Sequence, residues 1–166
     1  MRVIVDADGR CLDDAARVWA AAAAVRDGRD DAAPVAVTRP LIAGVLAASP
    51  RSVLVVALDP DEAGRVVGFG ACEPRHGAAN ADVATLRYLG VDPAAWGRGV
   101  AGALLDGVSE ALAARGFARA DLRVYVDNDR AVALFRRRGW RPYGAAHRHE
   151  RTGRWMQPYE LALRQG

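Results

Sequence analysis

Lysine is absent from this chain; all 23 residues of the Lys/Arg class are arginine. A Walker A phosphate loop requires a lysine, so that class of nucleotide hydrolase is excluded. Cysteine is scarce as well, and Cys11 and Cys72 form neither a metal-ligand spacing nor a disulfide framework. No stretch approaches the roughly 20 apolar residues of a membrane span. The N-terminus also lacks the basic start and apolar core of a signal peptide. These absences lead to the expectation of a cytoplasmic chain with no membrane contact and no bound metal.

What is present suits a soluble globular fold. Hydrophobic residues make up 51% of the 166 and charged residues 26%, enough for one substantial core and a single domain over residues 1–166. The net charge is +3 and the pI about 9.3. Arginines crowd at 136–138 and 148–154, but acidic residues are interspersed, so a nucleic-acid partner is not expected.

The apolar pattern gives a strand at Val3–Val5, an alanine-rich helix from Asp13 to about Val25, a polar loop at RDGRDDAAP and a helix over Pro40–Ala48. Strands follow at Ser52–Leu58, Arg65–Glu73 and Asp82–Val91, with PRHGAAN as a turn between the last two. Val100, Leu104, Leu105, Val108, Ala111 and Leu112 mark an amphipathic helix closed by Gly116. RADLRVYV alternates as a strand, Asp129–Arg138 reads as a short helix, and MQPYELAL as a last strand. The order implies an antiparallel meander followed by one strand-helix-strand crossover, hence one parallel pair.

At the start of the Val100 helix stands GRGVAG, a G-x-G-x-x-G pattern. Helix N-termini present unpaired N–H groups and a positive dipole end, and glycines let a phosphate approach them. A dinucleotide fold does not fit, because DPAAW separates strand from glycines and too few elements follow for a doubly wound sheet. Gly90, inside the preceding strand, is expected to mark a bulge. That bulge would part this strand from its parallel neighbour and open a gap for a pantetheine arm ending in a diphosphate.

In these stretches the chain resembles the GNAT N-acetyltransferase superfamily. LGVDPAAWGRGVAGALL is similar to its acetyl-coenzyme A motif, and VDNDRAVALFRRRGW to its second motif, N-x-x-A-x-x-L-Y-x-x-x-G-F. The resemblance implies an α/β (α+β) fold: a mixed, mostly antiparallel six- to seven-stranded sheet, about four helices and one splayed parallel pair. It implies acetyl-coenzyme A as cosubstrate, held by the turn Trp96, Gly97, Arg98, Gly99, Val100, Ala101 and Gly102. The main chain of Leu89 and Val91 would pair with pantetheine, and Asn128 and Phe135 would flank it. Trp96 replaces the usual glutamine or arginine. Phe135 replaces a tyrosine that protonates the leaving thiolate in many members, and phenylalanine has no donor.

The implied reaction moves an acetyl group directly to a primary amine of a small molecule or peptide, in a monomer or homodimer. A non-catalytic acyl-coenzyme A-binding sensor is the alternative. Glu73 is the candidate base, with Asp82 and a water relay as competitors; Tyr125 or Tyr143 is the candidate acid. Cys72 reads as buried filler, and His76, His147 and His149 as surface residues. Asp27, Asp30 and Asp31 either attract a cationic acceptor or solvate their loop.

Overall fold

The computed structural model describes residues 1–77 and 80–164. Ala78 and Ala79, inside the turn read at PRHGAAN, lie outside the described residues. The chain runs β1 (Arg2–Val5), α1 (Leu12–Arg26), α2 (Val35–Ala47), β2 (Val53–Leu58), β3 (Val66–Pro74), β4 (Val83–Val91), a 3₁₀ turn at Pro93–Ala95 and α3 (Val100–Ala114). It continues with β5 (Arg119–Tyr125), α4 (Asp129–Arg137), β6 (Arg141–Pro142), β7 (His147–Arg148) and β8 (Trp155–Ala162). Strand order is β1-β2-β3-β4-β5-β8-β6, with β7 also on β8. Every pairing is antiparallel except β4–β5. β6 and β7 are only two-residue pairings, so the longer strands and four helices form the expected mixed sheet. Among the described residues, no helix is long and apolar enough to cross a membrane.

The pleat of the sheet divides the core in two. Leu54, Val56, Phe69 and Ala71 face α1 and α2, while Val53, Val55, Cys72, Ala84 and Leu86 face α3 and α4. α2 begins at Val35, five residues before the expected start, and carries Pro40 inside it. The missing Pro40 N–H costs one helical bond. The buried Thr38 hydroxyl ties this helix to α1 by donating to Ala16 O at 3.0 Å.

β4 does bulge, but at a different residue from the one expected. Ala71 pairs with Tyr88 and Cys72 with Leu86, which leaves Arg87 as the extra residue; Gly90 pairs regularly with Phe69. Gly90 is small for a packing reason. A Cβ there would lie 2.7 Å from Phe69 Cε1, and that ring is fully buried. Gly90→Ala should therefore overpack the α1 side and lower stability by about 1–3 kcal/mol. A drop in the urea midpoint with an unchanged slope is the expected reading.

Candidate active site

β4 and β5 pair only through Val83–Thr85 and Arg119–Asp121, after which they diverge. The last rung is reinforced by side chains: Thr85 Oγ1 donates to Asp121 Oδ1 at 2.6 Å. Beyond it, both strands expose backbone toward the gap. Asp92 N–H donates to Val67 O, so alternation turns the Leu89 and Val91 main chains away from β3 and toward the split. Val91 O is already taken, because Trp96 Nε1 donates to it at 2.9 Å. Leu89 and the Val91 N–H remain.

The glycine turn closes the same gap at the α3 end. Gly97 and Gly99 have φ of 80° and 78°, a region in which side chains are strained. A Cβ at either would meet nothing within 4 Å, so here conformation, not crowding, demands glycine. The successive amides from Gly97 to Gly102 have no protein acceptor among the described residues. No acidic side chain occupies the first turn of α3, and the dipole end is left positive. These are the donors a diphosphate requires, so the residues present fit a coenzyme A tail.

The side chains of this turn do other work. Trp96 was expected among the binding groups, yet its amide already donates to Pro93 O at 3.2 Å. Its indole instead carries the Arg130 guanidinium at 4.7 Å, joining the glycine turn to α4. Arg98 is held by Asp59 and Asp61 on the β2–β3 turn, Val100 is buried, and the Arg138 guanidinium, paired with Asp106, lies against Gly102. Asn128 caps α4 by accepting from Ala131 N at 3.2 Å, which leaves its amide NH₂ free to donate. Phe135 is buried edge-on to Trp140, with centroids 6.0 Å apart.

On the α1/α2 side of the split lies a polar row. Glu73 is 7% exposed, not the exposed loop residue its position next to a turn would suggest. Its Oε1 lies 3.5 Å from Arg87 Nε and 3.8 Å from His76 Nε2. Asp82 lies at the closed end of the split, 3.9 Å from Arg119. Cys72 is fully buried and burial pushes its thiol upward, as befits filler.

On β5, Asp121 and Tyr125 share the side of Arg119 and Arg123, a largely charged set, yet both are buried. Asp121 accepts from Thr85 and, at 2.8 Å, from Tyr143 OH, and Arg75 Nη1 lies 3.2 Å away. Burial, then the Asp121 hydrogen bond and charge, raise the Tyr143 phenol above its ordinary value of 10.0. Tyr125 is packed between guanidiniums, Arg154 at 3.8 Å and Arg26 at 5.8 Å, with its hydroxyl 3.4 Å from Thr152 Oγ1. Arg26 also covers Trp19, which packs on Tyr88. Sequence reading missed Thr85, Arg75, Trp19 and Tyr88. The one available signal was an aspartate inside a strand destined for the sheet interior.

Asp27 is not free to draw in a cationic acceptor. Arg26 donates to both its oxygens, at 2.8 and 2.9 Å, and holds it below the usual carboxylate range. Asp30 and Asp31 are exposed.

Comparison with known proteins agrees with this architecture. The model of the GNAT acetyltransferase family matches residues 18–140, and the chain belongs to that family. A mycothiol acetyltransferase of Clavibacter michiganensis is 41% identical over 90 residues, which make up 54% of this chain and 27% of that protein. The match thus spans about a quarter of the curated relative. A GCN5-related N-acetyltransferase from Kribbella flavida superposes with a TM-score of 0.74 at 24% identity, covering 98% of this chain and 97% of its own. An acetyltransferase from Salmonella typhimurium, solved with its cofactor acetyl-CoA, gives 0.73 at 16% identity over 99% and 95% of the two chains.

The Asp121 network can be tested directly. Asp121→Ala removes the acceptor of the buried Thr85 hydroxyl and of the half-buried Tyr143 hydroxyl and should cost about 1–3 kcal/mol by urea unfolding. In Asp121→Asn, the Tyr143 phenol should titrate closer to its ordinary value, read as the ultraviolet phenolate signal lost in Tyr143→Phe. Because folding raises this group, its stabilisation is complete below the ordinary phenol value. It disappears as pH rises through the raised one.

Proposed function

We propose that the chain transfers an acetyl group from acetyl-CoA to a primary amine of a small molecule or peptide, within a ternary complex. The observation carrying this reading is the run of unpaired amides at Gly97–Gly102 beside the split between β4 and β5. In this reading those amides hold the pyrophosphate. Leu89 and the Val91 N–H pair with the pantetheine amides, and the free NH₂ of Asn128 contacts the same arm. Buried Phe135 supports the wall behind it.

Acetyl-CoA supplies an activated thioester, so no covalent enzyme intermediate is needed. Nitrogen bonds to the acyl carbon, the carbon–sulfur bond breaks, the amine loses a proton and the thiolate gains one. Glu73 takes the first proton, directly or through water, with Arg87 and His76 orienting its carboxylate. Of the two tyrosines, Tyr143 is the candidate proton donor by position, because its hydroxyl lies at the last rung of the split, donating to Asp121. Tyr125 instead points its hydroxyl at Thr152.

A second reading, a non-catalytic acyl-CoA sensor, draws on Phe135, which offers no proton where the family motif has a tyrosine. Calorimetry with acetyl-CoA, followed by thiol release against an amine panel, separates the two; binding without turnover would support the sensor. Gly99→Glu places a carboxylate among the phosphate-binding amides and should weaken acetyl-CoA binding at least about tenfold. Glu73→Gln should lower kcat by about 10²-fold while acetyl-CoA still binds. Unaltered kcat would remove Glu73 from the mechanism.

A further inference from the structure

Just past the last rung of the split, each strand presents an arginine. Thr85 pairs with Asp121, and Arg87 and Arg123 each follow by two residues. Both belong to the α1/α2 side. Arg87 reaches Glu73 there, and alternation puts Arg123 on the same face as Asp121 and Tyr125, where its charge is felt by the Tyr143 phenol.

The surroundings of Arg123 are unusual for an exposed residue. β5 lies inside the sheet, between β4 and β8. Its same-face neighbours Asp121 and Tyr125 are 2% and 8% exposed, while Arg123 itself is exposed. The Arg123 side chain therefore reaches solvent from between buried neighbours, on the side of the split where Glu73 lies. Arg123 has no carboxylate, hydrogen-bond or ring partner among the described residues.

The neighbouring cations are already matched. Arg75 has Asp121, Arg26 has Asp27, and Arg154 has Asp127 at 2.6 Å. Arg87 shares the single carboxylate of Glu73 with His76. Glu160, opposite Asp121 on β8, has Arg141 as its cross-strand neighbour of opposite charge, so the charge left over beside Arg123 is positive. A purely cationic acceptor would meet repulsion there, whereas an acceptor bringing its own carboxylate would balance Arg123. Nearby guanidinium charge also favours the neutral, nucleophilic form of an amine.

We propose that the acceptor is an amine carrying a nearby carboxylate, of the amino-acid class, and that Arg123 is the specificity-determining residue that binds this carboxylate and directs the amine toward Glu73. The proposal rests on the acetyltransferase reading above and deepens it.

The test is thiol release from acetyl-CoA with matched acceptors: a panel of L-amino acids, their carboxamides and their decarboxylated amines. The native protein should prefer at least one acid over both of its carboxylate-free partners by tenfold or more in kcat/KM. That preference should appear even though the carboxamide amine is less basic and more often neutral. Arg123→Gln should reduce the acid-to-amide ratio at least tenfold, mainly through KM, and Arg123→Lys should restore part of it. Because Arg123 is exposed, melting temperature serves as the folding control.

Equal use of acids and amides, or an equal loss on both in Arg123→Gln, would overturn the proposal. Turnover of carboxylate-free amines alone would overturn it while leaving the transferase reading intact. Failure of every amine would overturn both, with acetyl-CoA binding then separating a sensor from a protein that does not use the cosubstrate.

Discussion

Two parallel strands that stop pairing after three residues are the constraint on which the rest of this molecule depends. Paired to their ends, β4 and β5 would satisfy each other's backbone and leave no place for a ligand. Parted, they leave main-chain donors and acceptors that need a partner from elsewhere. The parting is fixed on both sides. Thr85 and Asp121 lock the last rung with a buried hydrogen bond, and the extra residue Arg87 bends β4 immediately afterwards. The bulge also places Arg87 beside Glu73, so one local irregularity shapes both the gap and the polar row beside it.

The glycine turn applies the same principle at the helix end. Positive φ at Gly97 and Gly99 directs a run of amides outward with no protein acceptor among the described residues. Trp96 keeps this turn against β4 by capping Val91 O, and Arg130 on its ring ties in α4. The two sequence motifs, one on each side of β5, are thereby brought together: the first offers Leu89, the Val91 N–H and the Gly97–Gly102 amides without protein acceptors among the described residues, and the second brings the Asn128 amide alongside. An extended, amide-bearing ligand with a diphosphate at one end complements that arrangement.

Electrostatics on the opposite face follow from a chain whose long cations are all arginine. Guanidiniums stack on rings and fork onto carboxylates, and here they do both: Arg26 and Arg154 enclose Tyr125 while Asp27 and Asp127 neutralise them. Once such pairs are formed, most of the local charge is matched. The significance of an unmatched arginine then comes from its position in the sheet.

The sequence by itself determined the order of the longer elements, the crossover that makes β4 and β5 parallel, and the location of the glycine turn at the start of α3. These are encoded locally, in apolar periodicity, in glycines that must take positive φ and in two motifs with short fixed spacings. Tertiary structure decided the rest. It moved the bulge from Gly90 to Arg87, because the Phe69 ring needs the space at Gly90 and register is settled by strand pairing. It buried Asp121 and Tyr125, which share a strand face with Arg119 and Arg123, because Tyr143, Arg75, Arg26 and Arg154 arrive over β5 from distant segments. It also gave Asp27 an internal partner and left the Arg123 side chain without one among the described residues. A side chain's partners depend on which faces meet after folding, and no local spacing in the chain records that.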